Sequence, residues 1–148
     1  MFGLLLVLHI LSSIAFMGSA FLIPAMRRSA KTASQLRFVF DITAKLSWLP
    51  KTGGAALIAT GIGLMFITGM GLSQMWLNVS ILLSLLLVVA IGAFIEPRLK
   101  KVTKLVAESR GDEVPAEFFH AMKKITPLES AAQLLMIAVI VLMVIKPF

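Results

Sequence analysis

One histidine stands inside an apolar run. In Leu6-Val7-Leu8-His9-Ile10-Leu11-Ser12-Ser13 the imidazole lies eight residues past the first position. As a helix rising 1.5 Å per residue, that is about 12 Å of depth. Ionisable side chains so placed are rare and usually face a helix bundle's interior. At helical spacing His9 shares a stripe with Ser12, Ser13, Phe16 and Ala20. Small neighbours leave room for a planar ligand, and neutral imidazole is a good axial ligand for haem iron. The same residues also suit a structural histidine bonded to a hydroxyl or carbonyl of a neighbouring helix. Both readings stand at this point.

The other candidates are methionines and a few charged groups. At the expected depth of His9, antiparallel spans present Met65, Ser84 and Met136, with Met143 nearer the surface. A thioether suits haem iron or cuprous copper, and equally fills gaps between helices. His9 with Met65 or Met136 is therefore the candidate ligand set, for haem b first and copper as the alternative. His120 falls on the polar side of a helix at the opposite membrane face, so it cannot share an iron with His9 in one chain. A bis-histidine site would need His9 from two subunits. Glu129 could carry protons at the start of the fourth span, one turn from Gln133. It is also explained by Thr126-Pro127-Leu128-Glu129, a capping box with proline at the first helical position. Glu96 and Arg98 flank Pro97 as an interface anchor. Lys51-Thr52-Gly53-Gly54 lacks the order of a phosphate loop. No His-Glu-x-x-His, Gly-x-Ser-x-Gly or intramembrane carboxylate pair is present, which leaves hydrolase chemistry without support.

The elements that must position these residues follow from composition. The chain has 148 residues, enough for one domain, with 59% hydrophobic and 14% charged residues and a mean hydropathy of +0.98. Soluble domains run at about 45–50% and about 25%. An integral membrane protein is the reading. With no cysteine, disulfides, thiolate metal sites and thiol nucleophiles are excluded. Four spans are expected, at residues 2–26, 53–71, 76–95 and 128–145, each near the 20 residues a bilayer requires. Gly18-Ser19-Ala20 imitates a signal cleavage site, but the start lacks a basic segment and the apolar run continues to Arg27-Arg28, so the first span reads as retained.

Charge sets the expected orientation. Segments 27–52 and 96–127 hold every one of the 14 basic residues except Lys146. By the positive-inside rule both segments are cytoplasmic and both termini lie outside. The net charge of +7 is thus mainly a topology signal. It favours anionic lipid headgroups as partners over nucleic acid. Leu36, Val39, Phe40 and Leu46 form one side of a surface helix, with Arg37, Asp41 and Lys45 on another, ending at Trp48-Leu49-Pro50. After Pro97 a helix runs to Glu108, stops at Arg110-Gly111-Asp112 and restarts at Pro115. There Phe118, Met122 and Ile125 make an apolar stripe that lipid or a partner protein could cover. Ala55, Ala59 and Gly63, Ser80, Ser84 and Gly92, and Ser12 with Ser19 are the expected close-packing positions. The fold class expected is all-α: one antiparallel four-helix membrane bundle with amphipathic cytoplasmic helices.

The opening Leu6-Val7-Leu8-His9-Ile10-Leu11-Ser12-Ser13, running on to Phe16-Met17-Gly18, resembles that of a bacterial membrane-protein group. The group includes copper resistance D proteins and HemJ-type protoporphyrinogen oxidases. Thr60-Gly61-Ile62-Gly63-Leu64, Trp76-Leu77, Glu96-Pro97-Arg98-Leu99 and the ending Leu142-Met143-Val144-Ile145-Lys146-Pro147 look closest to small predicted integral membrane proteins without assigned function. The resemblance implies that His9 matches a histidine held to bind b-type haem in the HemJ-type relatives, with a methionine opposite. Phe16-Met17 stands where the group usually has tryptophan, and the basic residue those oxidases use within the membrane has no counterpart. The oxidase reaction is therefore not carried over. Three functions are expected from this: a bacterial plasma-membrane redox protein with one b-type haem, a copper-handling protein, or a structural subunit that assembles with itself or a membrane partner.

Overall fold

The computed structural model describes residues 1–148 and is all helical. Its elements are α1 (Phe2–Ser29), α2 (Ala33–Lys45), α3 (Trp48–Thr68), α4 (Met75–Val89), a π segment (Ala90–Ile95), α5 (Glu96–Glu108) and α6 (Ala116–Ile145). Four helical paths are long and apolar enough to cross a membrane: α1, α3, the continuous run Met75–Glu108, and α6. The expected helical bundle is observed. We refer to the end carrying α2 and α5 as the basic end, and to the other as the terminal end.

Two antiparallel pairs make up the bundle, α1 with α3 and α4 with α6, and α1 also packs against α6. The first pair is close because Gly53 has no side chain. A methyl group there would lie 2.9 Å from Ala15 Cβ, 3.1 Å from Phe16 N and 3.2 Å from Ser12 O. Gly54 lies against the Phe16 ring, and Gly63 faces Leu5. The small-residue face is thus Gly53, Gly54, Thr60, Gly61 and Gly63. Ala55 and Ala59 are exposed, as is Gly92 on the third span, which corrects the expected stripe. Four-residue spacing defines a stripe but not its rotation about the axis, and backbone approach to α1 selected the glycine side. Beyond the seam α1 is bare. Between Leu4 and Ile14 only Leu5, His9, Ser12 and Ser13 are covered.

Prolines interrupt three of the long helices without ending them. Pro24 cannot donate to the carbonyl of Ala20, four residues earlier. Gln133 Nε2 donates to that carbonyl instead, at 3.1 Å from across the α1–α6 interface. Before Pro97 the helix widens to π geometry, and the Glu96 N–H reaches back to Ile91 O. A π turn relieves the clash that a proline ring imposes on the preceding turn. Pro127 lies inside α6, which begins after Pro115. The expected capping box at Thr126 is therefore not formed. Ile125 is packed in the basic-end core, while Ala132 and Met136 are packed between the spans. Burial on both sides of Pro127 outweighs the cost of about 3 kcal/mol for an interior proline.

The segments outside the bilayer fold into a cap. Leu36 and Phe40 of α2, Val102 and Val106 of α5, and Phe118 and Ile125 of α6 share one core, with Met122 packed against it. The Phe118, Met122 and Ile125 stripe is thus covered by the chain itself and is not free for a partner. Leu46, expected beside Leu36, is exposed because α2 ends at Lys45. Polar side chains then exchange helix caps. Asp112 Oδ1 accepts from Ser34 N at the start of α2, and Asp112 O accepts from Ala33 N. Arg37 of α2 donates to Val106 O, Ser109 O and Gly111 O at the end of α5. Each helix satisfies orphan groups of the other. Gly111, at φ +89°, makes the sharp turn between them.

Two outcomes follow. Gly53→Val should force α1 and α3 apart and lower stability by about 1–3 kcal/mol, the usual cost of overpacking. Gly18→Ala, which meets nothing within 4 Å, should leave thermal unfolding in detergent unchanged. The hydrogen bonds from the Ser34 side chain and backbone hold the Asp112 carboxyl below its ordinary value of 3.8. A lowered folded value stabilises the cap above the ordinary value, and the contribution disappears as pH falls through the lowered one. Amide exchange in the first turn of α2 should therefore accelerate below about pH 4, and in Asp112→Ala should be fast at every pH.

Candidate functional site

His9 is placed by the same glycine seam. Its ring lies beside Gly61, where a methyl group would come within 3.4 Å of Cε1. Nδ1 is 2.9 Å from Thr60 Oγ1. The threonine hydroxyl has one proton, and it donates to Ala56 O at 2.7 Å and more weakly to Leu57 O at 3.2 Å. Thr60 must therefore accept, so the proton of the neutral imidazole sits on Nδ1 and the lone pair on Nε2. Nε2 has no hydrogen-bond partner. The sole buried polar side-chain atom without one is Arg27 Nε, so His9 Nε2 is open at the edge of the helix pair. A ring fixed through one nitrogen keeps the lone pair of the other available to a donor or a metal. Ser12 and Ser13 do not compete for it, since their hydroxyls donate to Leu8 O and His9 O.

The structure does not bring the expected methionines to the level of His9. Met65 is five residues past Thr60, about 7 Å toward the terminal end. Met136 is fully buried in the core shared with Leu87, Ile95 and Ala132, against which Phe16 and Met17 pack. The Gln133–Ala20 bond sets the register of α6 on α1. From it, Met136 lies about 12 Å below His9, and Met143 is the α6 methionine nearest His9 in height. Ser84 donates to Ser80 O. His120 is exposed at the basic end, remote from His9. No three His, Asp or Glu side chains converge as a metal site.

A second polar constellation was not legible as such. Arg27 donates from one Nη to both oxygens of Glu129, at 2.5 and 2.6 Å, with the residues 3% and 5% exposed. One turn deeper on α6, Gln133 makes its bond to Ala20 O. Sequence reading gave Arg27 to the topology signal and Glu129 to a cap. The usable signal was spacing: Glu129 and Gln133 stand at i, i+4 on one face of the fourth span. Burial of both charges costs heavily, and the pair chiefly fixes the register of α1 on α6.

A family model described as a predicted integral membrane protein, DUF2269, matches residues 3–147. No curated protein and no solved structure matches the chain.

The ion pair makes a direct prediction. Glu129→Ala strands Arg27 in an apolar setting and should cost about 3–5 kcal/mol in thermal or denaturant unfolding. The double replacement Arg27→Met with Glu129→Leu should regain most of that loss, since no buried charge is left alone.

Proposed function

Since the chain belongs to the DUF2269 family of predicted integral membrane proteins, we propose that it is a small multi-pass protein of the bacterial plasma membrane that uses His9 to hold a b-type haem or similar tetrapyrrole. One observation carries this reading: His9 gives Nδ1–H to Thr60 and keeps Nε2 open. The opening of α1 supports it too, through its likeness to the copper resistance D and HemJ-type group. His9 would hold such a group through Nε2. Thr60 orients the ring and raises its basicity, and Gly61 leaves space beside it. Of the two methionines in the candidate set, Met65 is the nearer in height, on the helix that carries Thr60. A haem held here supplies one-electron redox chemistry within the membrane. The excess of basic residues at the α2–α5 end supports the reading that this end is cytoplasmic with both termini outside.

An absorption spectrum of detergent-purified protein from a haem-replete host tests the reading, first air-oxidised and then reduced with dithionite. A Soret band with α and β bands that sharpen on reduction is expected, and His9→Ala should remove it. Thr60→Val should keep the band but weaken haem affinity by about 10–100-fold, as loss of a ligand's orienting partner does. A blank spectrum that stays blank after haem is added would sink the proposal. Stoichiometric copper surviving chelation would then identify a copper-handling protein, and its absence a structural subunit.

A further inference from the structure

The elbow joining α1 to α3 has a surface that neither the cap core nor the packing between spans covers. On it Phe38 is 64% exposed, Leu46 50% and Trp48 59%, with Leu49 exposed beside them and Ile42 half-covered. Phe38 also forms the rim of a shallow groove of about 400 Å³ with Met26, Ala30 and Val39, where α2 leans on the end of α1. The buried side of α2, carrying Leu36, Val39 and Phe40, faces the cap core. A helix of 13 residues thus has two apolar sides, one satisfied and one not. The second lies between Ser29 and Trp48, the ends of two spans, hence at headgroup level.

The charges around that edge differ from those elsewhere at the basic end. Segment 27–52 carries six basic residues against Asp41 alone, whereas segment 96–127 offsets seven basic residues with five acidic ones. On α5, Lys100 and Lys104 pair with Glu96 and Glu108 at 3.5 and 3.9 Å. Arg28, Lys31 and Lys51 are exposed and make no ion pair; in the elbow only Lys45, held by Asp41, and buried Arg27 do. Exposed aromatics at headgroup level flanked by unpaired cations fit one partner, an anionic phospholipid. The rings enter the acyl boundary while the cations meet phosphate.

We infer that the α1–α2–α3 elbow is a docking surface for anionic phospholipid, with Phe38 and Trp48 inserted and Arg28, Lys31 and Lys51 contacting headgroups. The inference does not depend on His9 or on any cofactor.

Trp48 is its own probe, because the chain's other tryptophan, Trp76, can be replaced by phenylalanine. In phosphatidylcholine nanodiscs, the Trp76→Phe protein is titrated with lipid brominated on its acyl chains. Brominated phosphatidylglycerol should quench Trp48 at least about twofold more than brominated phosphatidylcholine at equal mole fraction. Replacing Arg28, Lys31 and Lys51 together by glutamine should abolish the difference, while glutamine at Lys100, Lys101 and Lys104 should preserve it. Equal quenching by the two lipids overturns the inference. So does a difference that survives the elbow replacements, or one lost with the α5 set. If Trp76→Phe does not fold, native mass spectrometry of the unmodified chain and the elbow variant reads the same contrast as retained phosphatidylglycerol adducts.

Discussion

Two polar contacts on one face of α6 hold the bundle in register: Glu129 with the Arg27 guanidinium, and Gln133 with the carbonyl of Ala20. Apolar helices in lipid have little to fix their relative height, since sliding trades one methylene contact for another. A buried charge and an orphaned carbonyl are different, because each has one acceptable partner position. Pro24 creates the orphan, and Arg27, one turn on, supplies the charge. The stretch of α1 around Pro24 is thereby the part that α6 recognises. Toward the terminal end Phe16 and Met17 still pack on the core of α4 and α6, while α3 is the main neighbour of α1, so the height of His9 relative to α4 and α6 is set largely by these two bonds.

The cap at the basic end uses the same economy of groups. Its core joins α2, α5 and the first turns of α6, and its polar bonds run between helix ends rather than along faces. Asp112 and Arg37 each serve the helix they do not belong to. The cap therefore ties the two helix pairs together from outside the bilayer, while Arg27 and Glu129 tie them just within it. At the terminal end the ties are confined to one pair, through Trp76 N bonded to Phe148 O and Lys146 over the Trp76 ring. The ties between the two helix pairs are thus concentrated at the basic end, while His9 is held within its own pair by Thr60.

What could be read from the sequence divides along physical lines. Four spans, a surface helix between the first two, the stop at Arg110-Gly111-Asp112 and the restart after Pro115 were legible because hydropathy, period and turn residues are local properties. The surface helix, expected over residues 36–49, runs over Ala33–Lys45, and Trp48-Leu49-Pro50 opens the second span instead of ending that helix. Helix rotation and register were not. Ala55 and Ala59 are small enough to suggest a packing stripe, but only Gly53 lacks the methyl that the approach of α1 excludes, and that approach decides which side faces inward. Met136 was placed beside His9 by counting from span ends, yet α6 begins twelve residues before the expected Leu128, and the Gln133 bond sets it lower. Thr126-Pro127-Leu128-Glu129 reads as a helix start because the motif is local, while the packing that carries α6 through Pro127 is not. His9 was legible as an exception in an apolar run. Its bond to Thr60, 51 residues away, was not.

The π segment at Ala90–Ile95 has a consequence for the helix on either side of it. Leu87 and Ile95 both belong to the core between spans, yet eight residues of plain α-helix would leave them about 80° apart at 100° per residue. Wider turns underwind the helix by about one residue over that stretch, which swings Ile95 back toward the line of Leu87. Val102 and Val106 of α5 then fall on the side that meets α2 and α6. The distortion is a phase shifter: it lets one continuous helix keep one face for the bilayer core and offer a differently rotated face to the cap.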